Sequence, residues 1–259
     1  MKRFFTVAAL LSAVTLMMTS CLYGTSTTST SSALASIVDG DALTGSYVMF
    51  DNGVKATIVK GENLVGNIPA SAYYPDKATG EARAVIHFVQ KTSSDDNFVS
   101  SLELKSVIPI QIKPAEATYN QEVADGYKSW LTGYGLTYTR DRYLNIQFTY
   151  PSSGGTYESE HDFVLMYNPE KQGYFQELYT TDSYLYLELY HDGGLDPAAN
   201  VTSGSVGLNE SILSFYLTDE MINRDIDKDF FGVRVLYRGR DETSSNIVPR
   251  VLEFRFSSF

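Results

Sequence analysis

Three stretches of this sequence alternate between two sets of residues with a period of two. In YLNIQFTY (143–150), Leu144, Ile146, Phe148 and Tyr150 share one side; Tyr143, Asn145, Gln147 and Thr149 share the other. YLYLELY (184–190) sets Leu185, Leu187 and Leu189 against Tyr184, Tyr186, Glu188 and Tyr190. VLEFRF (251–256) sets Leu252, Phe254 and Phe256 against Val251, Glu253 and Arg255. Successive side chains of a strand point to opposite faces, so this period marks strands with one face towards a core. No amphipathic run reaches the length of a stable helix, and 19 tyrosines suit pleated surfaces, so the expected fold class is all-β.

Further strands are expected at 46–50, 54–59, 83–90, 102–112, 162–167, 211–217 and 231–237. Turn signals separate them, among them Asp51-Asn52-Gly53, residues 151–155 and Asp192-Gly193-Gly194. Thr218 could cap a two-turn helix through Met221 and Ile222. Pro114 and the polar AEATYNQE follow the strand ending at Ile112, which places a boundary near 112–122. Residues 41–115 suffice for a small five-stranded barrel, and 116–259 suit an antiparallel β-sandwich.

The chain begins as an exported protein does. Lys2 and Arg3 precede an apolar stretch over 4–18 that is too short to cross a bilayer comfortably. Met18-Thr19-Ser20-Cys21 resembles a bacterial lipobox, and Cys21 is the only cysteine. Residues 1–20 therefore read as a lipoprotein signal peptide, with lipid on Cys21 as the contact with the membrane. Once Cys21 is modified, no disulfide and no cysteine-based metal site can form. Residues 25–32 are all Ser or Thr, and 21–40 are expected to be a tether without fixed structure. Loss of 1–20 deepens the formal net charge from −11 to −13, which argues against nucleic acid as a partner.

The lipobox, GSYVMFDNG and RAVIHFVQK in the first half, and RYLNIQFTY, HDFVLMYNP and YLYLELYHDGG in the second together resemble NigD-like lipoproteins. These are envelope proteins of Bacteroidota-type bacteria. The resemblance implies an OB-type barrel followed by a β-sandwich. By analogy with a member linked to a bacteriocin gene cluster, it also implies a role in immunity. It implies no site residues and no cofactor.

Candidate chemistry is sparse. His161-Asp162 and His191-Asp192 stand at strand ends, and His87 lies within a strand. Brought together, the two dipeptides could form a metal site or an acid–base pair; a local hydrogen bond in a turn is the stronger reading. Asp225, Asp227 and Asp229 have calcium-loop spacing, but Phe230 and Leu236 stand where that loop needs Gly and Glu. SGSVG (203–207) lacks the first Gly of a nucleophile elbow and the strand-to-helix setting. Glu158, Glu160 and Asp162 alternate, so a strand running through them would put all three on one face, which reads as a solvated edge.

The row Tyr184, Tyr186 and Tyr190 is the candidate ligand-binding surface, because exposed Tyr offers flat contact area at low entropic cost. The plainer reading, a half-exposed face or one covered by the other domain, is preferred. No catalytic residue, metal or cofactor is expected. The chain reads as a non-catalytic binding module that meets an envelope protein or a glycan. A nutrient-uptake lipoprotein that binds carbohydrate or peptide is the first alternative, and a hydrolytic or metal-dependent enzyme the second. No acidic residue follows Cys21 until Asp39, so the outer membrane's periplasmic face is the expected location.

Overall fold

The computed structural model describes residues 30–38, 45–75, 80–91, 100–139, 142–202, 206–218, 221, 230–241 and 243–256. Cys21, the signal segment, the 219–220 helix start and the 225–229 acidic run lie outside them, as do 203–205 of SGSVG. The chain divides into two compact units, 1–112 with 139–141 and 113–138 with 142–259.

The first unit is a closed five-stranded barrel. Strand β1 (Ser31–Val38) pairs antiparallel with both β2 (Tyr47–Phe50) and β5 (Glu81–Lys91), which closes the sheet. β3 (Lys55–Lys60) pairs antiparallel with β2 and parallel with β6 (Ser100–Pro109), and β6 returns antiparallel to β5. Short β4 (Tyr73–Tyr74) joins the edge of β5. Counting only the barrel strands, the order 1-2-3-5-4-1 is that of an OB-type barrel. Helix α1 (Glu62–Gly66) follows β3, and Gly61 before it has φ 96°. A Cβ at Gly61 would lie 2.7 Å from the Leu104 carbonyl oxygen, so the chain can pass there only as glycine. Ala35, Ile37, Ala82, Ala84, Ile86, Leu102 and Leu104 fill the interior.

The tether expected over 21–40 is corrected by β1, and the barrel begins ten residues before the expected residue 41. Ser31, Ser32 and Ser36 are strand residues, not spacer. Ala35 and Ile37 point into the core, while Ser36 accepts a hydrogen bond from Arg83 Nη1 at 3.1 Å. Closing the barrel requires a strand between β2 and β5, and that demand outweighs the local preference of a hydroxyl-rich tract.

In the second unit, one sheet runs β10 (Asp162–Met166), β11 (Tyr184–Asp192), β13 (Gly232–Arg240), β14 (Ile247–Arg255). The other runs β7 (Ile112–Pro114), β12 (Leu208–Tyr216), β9 (Tyr143–Pro151), β8 (Thr132–Tyr138). Their inner faces meet in one core. Leu144, Ile146, Phe148 and Tyr150 come from β9; Leu185, Leu187 and Leu189 from β11; Val233 and Val235 from β13; Leu213 and Phe215 from β12. Each such side chain contributes roughly 1.5–3 kcal/mol of transfer free energy. The sandwich is not wholly antiparallel, because β11 and β13 run parallel. Between them the chain passes through the other sheet as β12, and its return crosses back in the same direction. Helix α2 (Gln121–Gly126) is capped by Asn120, whose Oδ1 accepts from the backbone N–H of Glu122 at 3.0 Å and Val123 at 3.3 Å.

Candidate functional site

The two histidines do come together. Antiparallel pairing of β10 with β11 sets Phe163 opposite His191 and Asp162 opposite Asp192. His161, just ahead of β10, then reaches His191, with Nδ1 and Nε2 2.8 Å apart. The carboxylate that joins them is neither Asp162 nor Asp192 but Asp196, 3.1 Å from His161 Nε2. The turn after β11 makes this approach feasible: a Cβ on Gly193 would stand 1.9 Å from that of Ala199. Asp196 also accepts from the Ser153 hydroxyl at 2.7 Å and from the backbone N–H groups of Ser153 and Ala198, each at 2.8 Å. At the other end, His191 Nδ1 donates to the Trp130 carbonyl at 3.1 Å. Tyr150 packs against both rings, and Phe163 stacks on His191 at 4.6 Å.

The hydrogen bonds count the protons. The Trp130 carbonyl and the Asp196 carboxylate only accept, so the ring nitrogens facing them both carry hydrogen. The nitrogen–nitrogen contact between the rings needs one more. Two imidazoles therefore hold three protons and one positive charge, offset by Asp196. Burial and the neighbouring His161 push the His191 pKa down to about 3, so His191 is the neutral ring and accepts at Nε2. Burial works against ionisation of Asp196, but the Ser153 hydroxyl and backbone donors outweigh it and hold the carboxyl well below the usual range.

This chain is closed to chemistry. Both His161 and Asp196 side chains are at most 1% exposed, and the relay ends on a backbone carbonyl. Ser153 donates to the carboxylate and faces no ring nitrogen acting as base. The direct contact between the rings leaves no room for an ion between them. Among the described residues no group of three or more His, Cys, Asp or Glu is placed to hold a metal. His87 lies elsewhere, in the barrel, with Nδ1 2.7 Å from Ser32 Oγ.

The tyrosine row, the candidate ligand-binding surface, is corrected: it is a covered face, close to the preferred plainer reading, although the cover comes from the same unit and not from the other domain. Tyr186 and Tyr190 are each 2% exposed, and only Tyr184 is half-buried. They belong to a second apolar cluster with Phe175, Met166, Leu236 and Ala124 of α2. Short helix α2 with its flanking residues over 119–127, and the turn over 174–179, cover this face, and nothing periodic in those residues announces it. At its centre lies Glu188, fully buried. Asn168 Nδ2 donates to it at 2.9 Å, and the hydroxyls of Tyr179 and Tyr190 donate to its two oxygens. Burial and the adjacent carboxylate push both tyrosines far above their ordinary range. Arg234 closes one end of the row, bonding Glu253 at 2.7 Å, the Tyr186 hydroxyl at 2.8 Å and Thr180 Oγ1 at 3.0 Å.

The expected acidic edge is corrected too. Glu158 and Glu160 sit in an exposed 3-10 turn (Gly155–Glu160), entered through Gly154 at φ 74°, and share no strand face with Asp162. Asp162 opens β10, where Lys113 and the Tyr127 hydroxyl bond it. Reasoning from sequence missed Asp196 and Glu188. The only hint for Asp196 was its place between Gly193-Gly194 and Pro197. For Glu188 it was an acid embedded among alternating Tyr and Leu.

Residues 107–219 match the family described as the NigD-like C-terminal beta sandwich domain. No curated protein matches the chain. Several solved structures share the fold. A Bacteroides vulgatus protein of unknown function, DUF1344, is 15% identical at a TM-score of 0.61, covering 89% of this chain and 92% of that one. A toxin-related protein from Parabacteroides distasonis is 17% identical at 0.56, covering 88% and 94%. A NigD-like immunity protein from Bacteroides caccae is 15% identical at 0.55, covering 91% and 99%.

Proposed function

We propose, for a chain that carries a NigD-like C-terminal β-sandwich, a non-catalytic binding role in the bacterial envelope, related to bacteriocin immunity and exerted from a lipid anchor on Cys21. The observation that carries this reading is the closure of the His161–His191–Asp196 chain, whose every polar atom is used internally. The strongest gathering of titratable groups among the described residues thus serves the fold. Likeness in fold to a protein described as a NigD-like immunity protein adds the direction, and the lipobox-like Met18 to Cys21 adds the anchor.

The immunity role is tested by deleting the gene in its host and challenging with bacteriocin-containing supernatants of related strains. Sensitisation that the intact gene reverses is the expected result. Unchanged sensitivity with impaired growth on polysaccharide would instead favour nutrient uptake. For the anchor, Cys21→Ala is expected to leave an exported protein that no longer partitions with membranes. Unchanged fractionation removes the anchor from the proposal. Protease added to intact cells tests the proposed periplasmic face, and digestion there would place the body outside.

A further inference from the structure

Strand β13 carries two arginines on the same outer face, four residues apart and treated very differently. Arg234 has a carboxylate, two hydroxyl partners and the Tyr184 ring at 4.1 Å. Arg238 has aromatic neighbours only: its guanidinium lies 3.7 Å from the centroid of Tyr174, and its charge acts on the Tyr119 hydroxyl. Its Nε is sealed from solvent with no acceptor. No side-chain hydrogen bond or ion pair joins it to any described residue, although the sequence holds 31 acidic residues against 20 basic. Arg240, the next residue on that face, lies over Trp130 at 5.5 Å, and its Nη2 donates to Ser245 Oγ at 3.4 Å.

Because Nε is sealed from solvent, only the terminal nitrogens of Arg238, which are not among the buried unpartnered atoms, can meet a ligand from solution. The guanidinium lies over the face of Tyr174, which itself is 39% exposed and fixed by its hydroxyl donating to the Ile247 carbonyl at 3.3 Å. A planar fork held in this way presents its edge to a planar, two-oxygen acceptor. A polyanion is disfavoured because the chain as a whole carries −11. A single carboxylate on an otherwise basic chain satisfies both the local and the overall field.

We propose that Arg238, set over Tyr174, is the anchor of a binding site for the carboxylate of a basic peptide. This rests on the binding role proposed above and gives it a ligand chemistry. The test follows the Arg238 Nε–H resonance while an acetylated peptide of lysine, glycine, lysine and alanine is added. Three arms run beside it: the same peptide as its C-terminal amide, a galacturonate trisaccharide, and the peptide with Arg238→Gln followed through the Trp130 indole N–H.

Saturable shifts with the free carboxylate are expected, weakened about tenfold or more by the amide and by Arg238→Gln. The amide arm uses the unmodified protein, so folding of the variant does not enter. Equal binding of the amide, unchanged binding by Arg238→Gln, or saturation by the trisaccharide alone overturns the site. A protein that protects its host while Arg238 ignores the peptide loses this site and keeps its immunity role. Peptide binding by a protein that protects nothing reverses that outcome.

Discussion

Acidification from pH 6.5 towards 3 is expected to remove about 5 kcal/mol from the second unit through His191 alone, taking its folded pKa as about 3 against about 6.5 unfolded. The unfolded chain binds this proton more readily than the folded one. The contribution is therefore complete above pH 6.5 and drains away as the pH falls. Protonating His191 at Nε2 would turn N–H against N–H across the 2.8 Å contact with His161. Carboxylates such as Asp196 stay ionised until lower pH, so the interval from 6.5 to 4.5 isolates the histidine.

His191→Phe keeps the stack on Phe163 and removes the titration. Denaturant unfolding of each protein can be followed through Trp130, the chain's single tryptophan, whose indole N–H donates to the Val201 carbonyl at 3.0 Å. Across that interval the wild-type protein should lose about 2–3 kcal/mol more than the variant. Parallel stability curves would remove the buried neutral histidine from the account.

Glu188→Ala is expected to cost about 3–5 kcal/mol, because two buried donors and a half-buried one lose their acceptor together. Asn168 and Tyr190 are buried and Tyr179 is half-buried, so little solvent reaches these donors. Glu188→Gln keeps an acceptor and lets both hydroxyls rotate, so its cost should be nearer 1 kcal/mol, about that of one neutral hydrogen bond. A further variant, Tyr179→Phe with Tyr190→Phe on Glu188→Ala, removes orphaned donors and should recover part of the loss. Urea unfolding read by Trp130 fluorescence measures all three. Equal stability of the Ala and Gln variants would mean that the carboxylate does not hold the cover in place.

What could be read from the sequence, and what could not, divides along physical lines. Leu144, Ile146 and Phe148 announced their face because burial on one side of a strand imposes a period of two. The face of Leu185, Leu187 and Leu189 was legible for the same reason. The fate of Tyr186 and Tyr190 was not, since β11 is buried on both sides and its second cover is a helix of six residues and a short turn, too brief to show a period. The parallel pairing of β11 with β13 depends on where the intervening strand goes, which no local pattern encodes. His161 and His191 could be named as a pair from their strand ends. Asp196 arrives by the fold of a glycine turn, where backbone permissiveness carries the information and no side chain does.

The early start of β1 sets a leash. With lipid on Cys21, only ten residues separate the membrane from Ser31, where the closed barrel begins. Ten residues reach at most about 35 Å, whatever conformation they take. A protein held that closely patrols a thin shell above the bilayer, and its local concentration towards anything in the same membrane is on the order of millimolar. Under that anchor, even a grip as weak as the one proposed for Arg238 would be enough to matter for a partner in the same membrane, while a partner farther away would stay out of range.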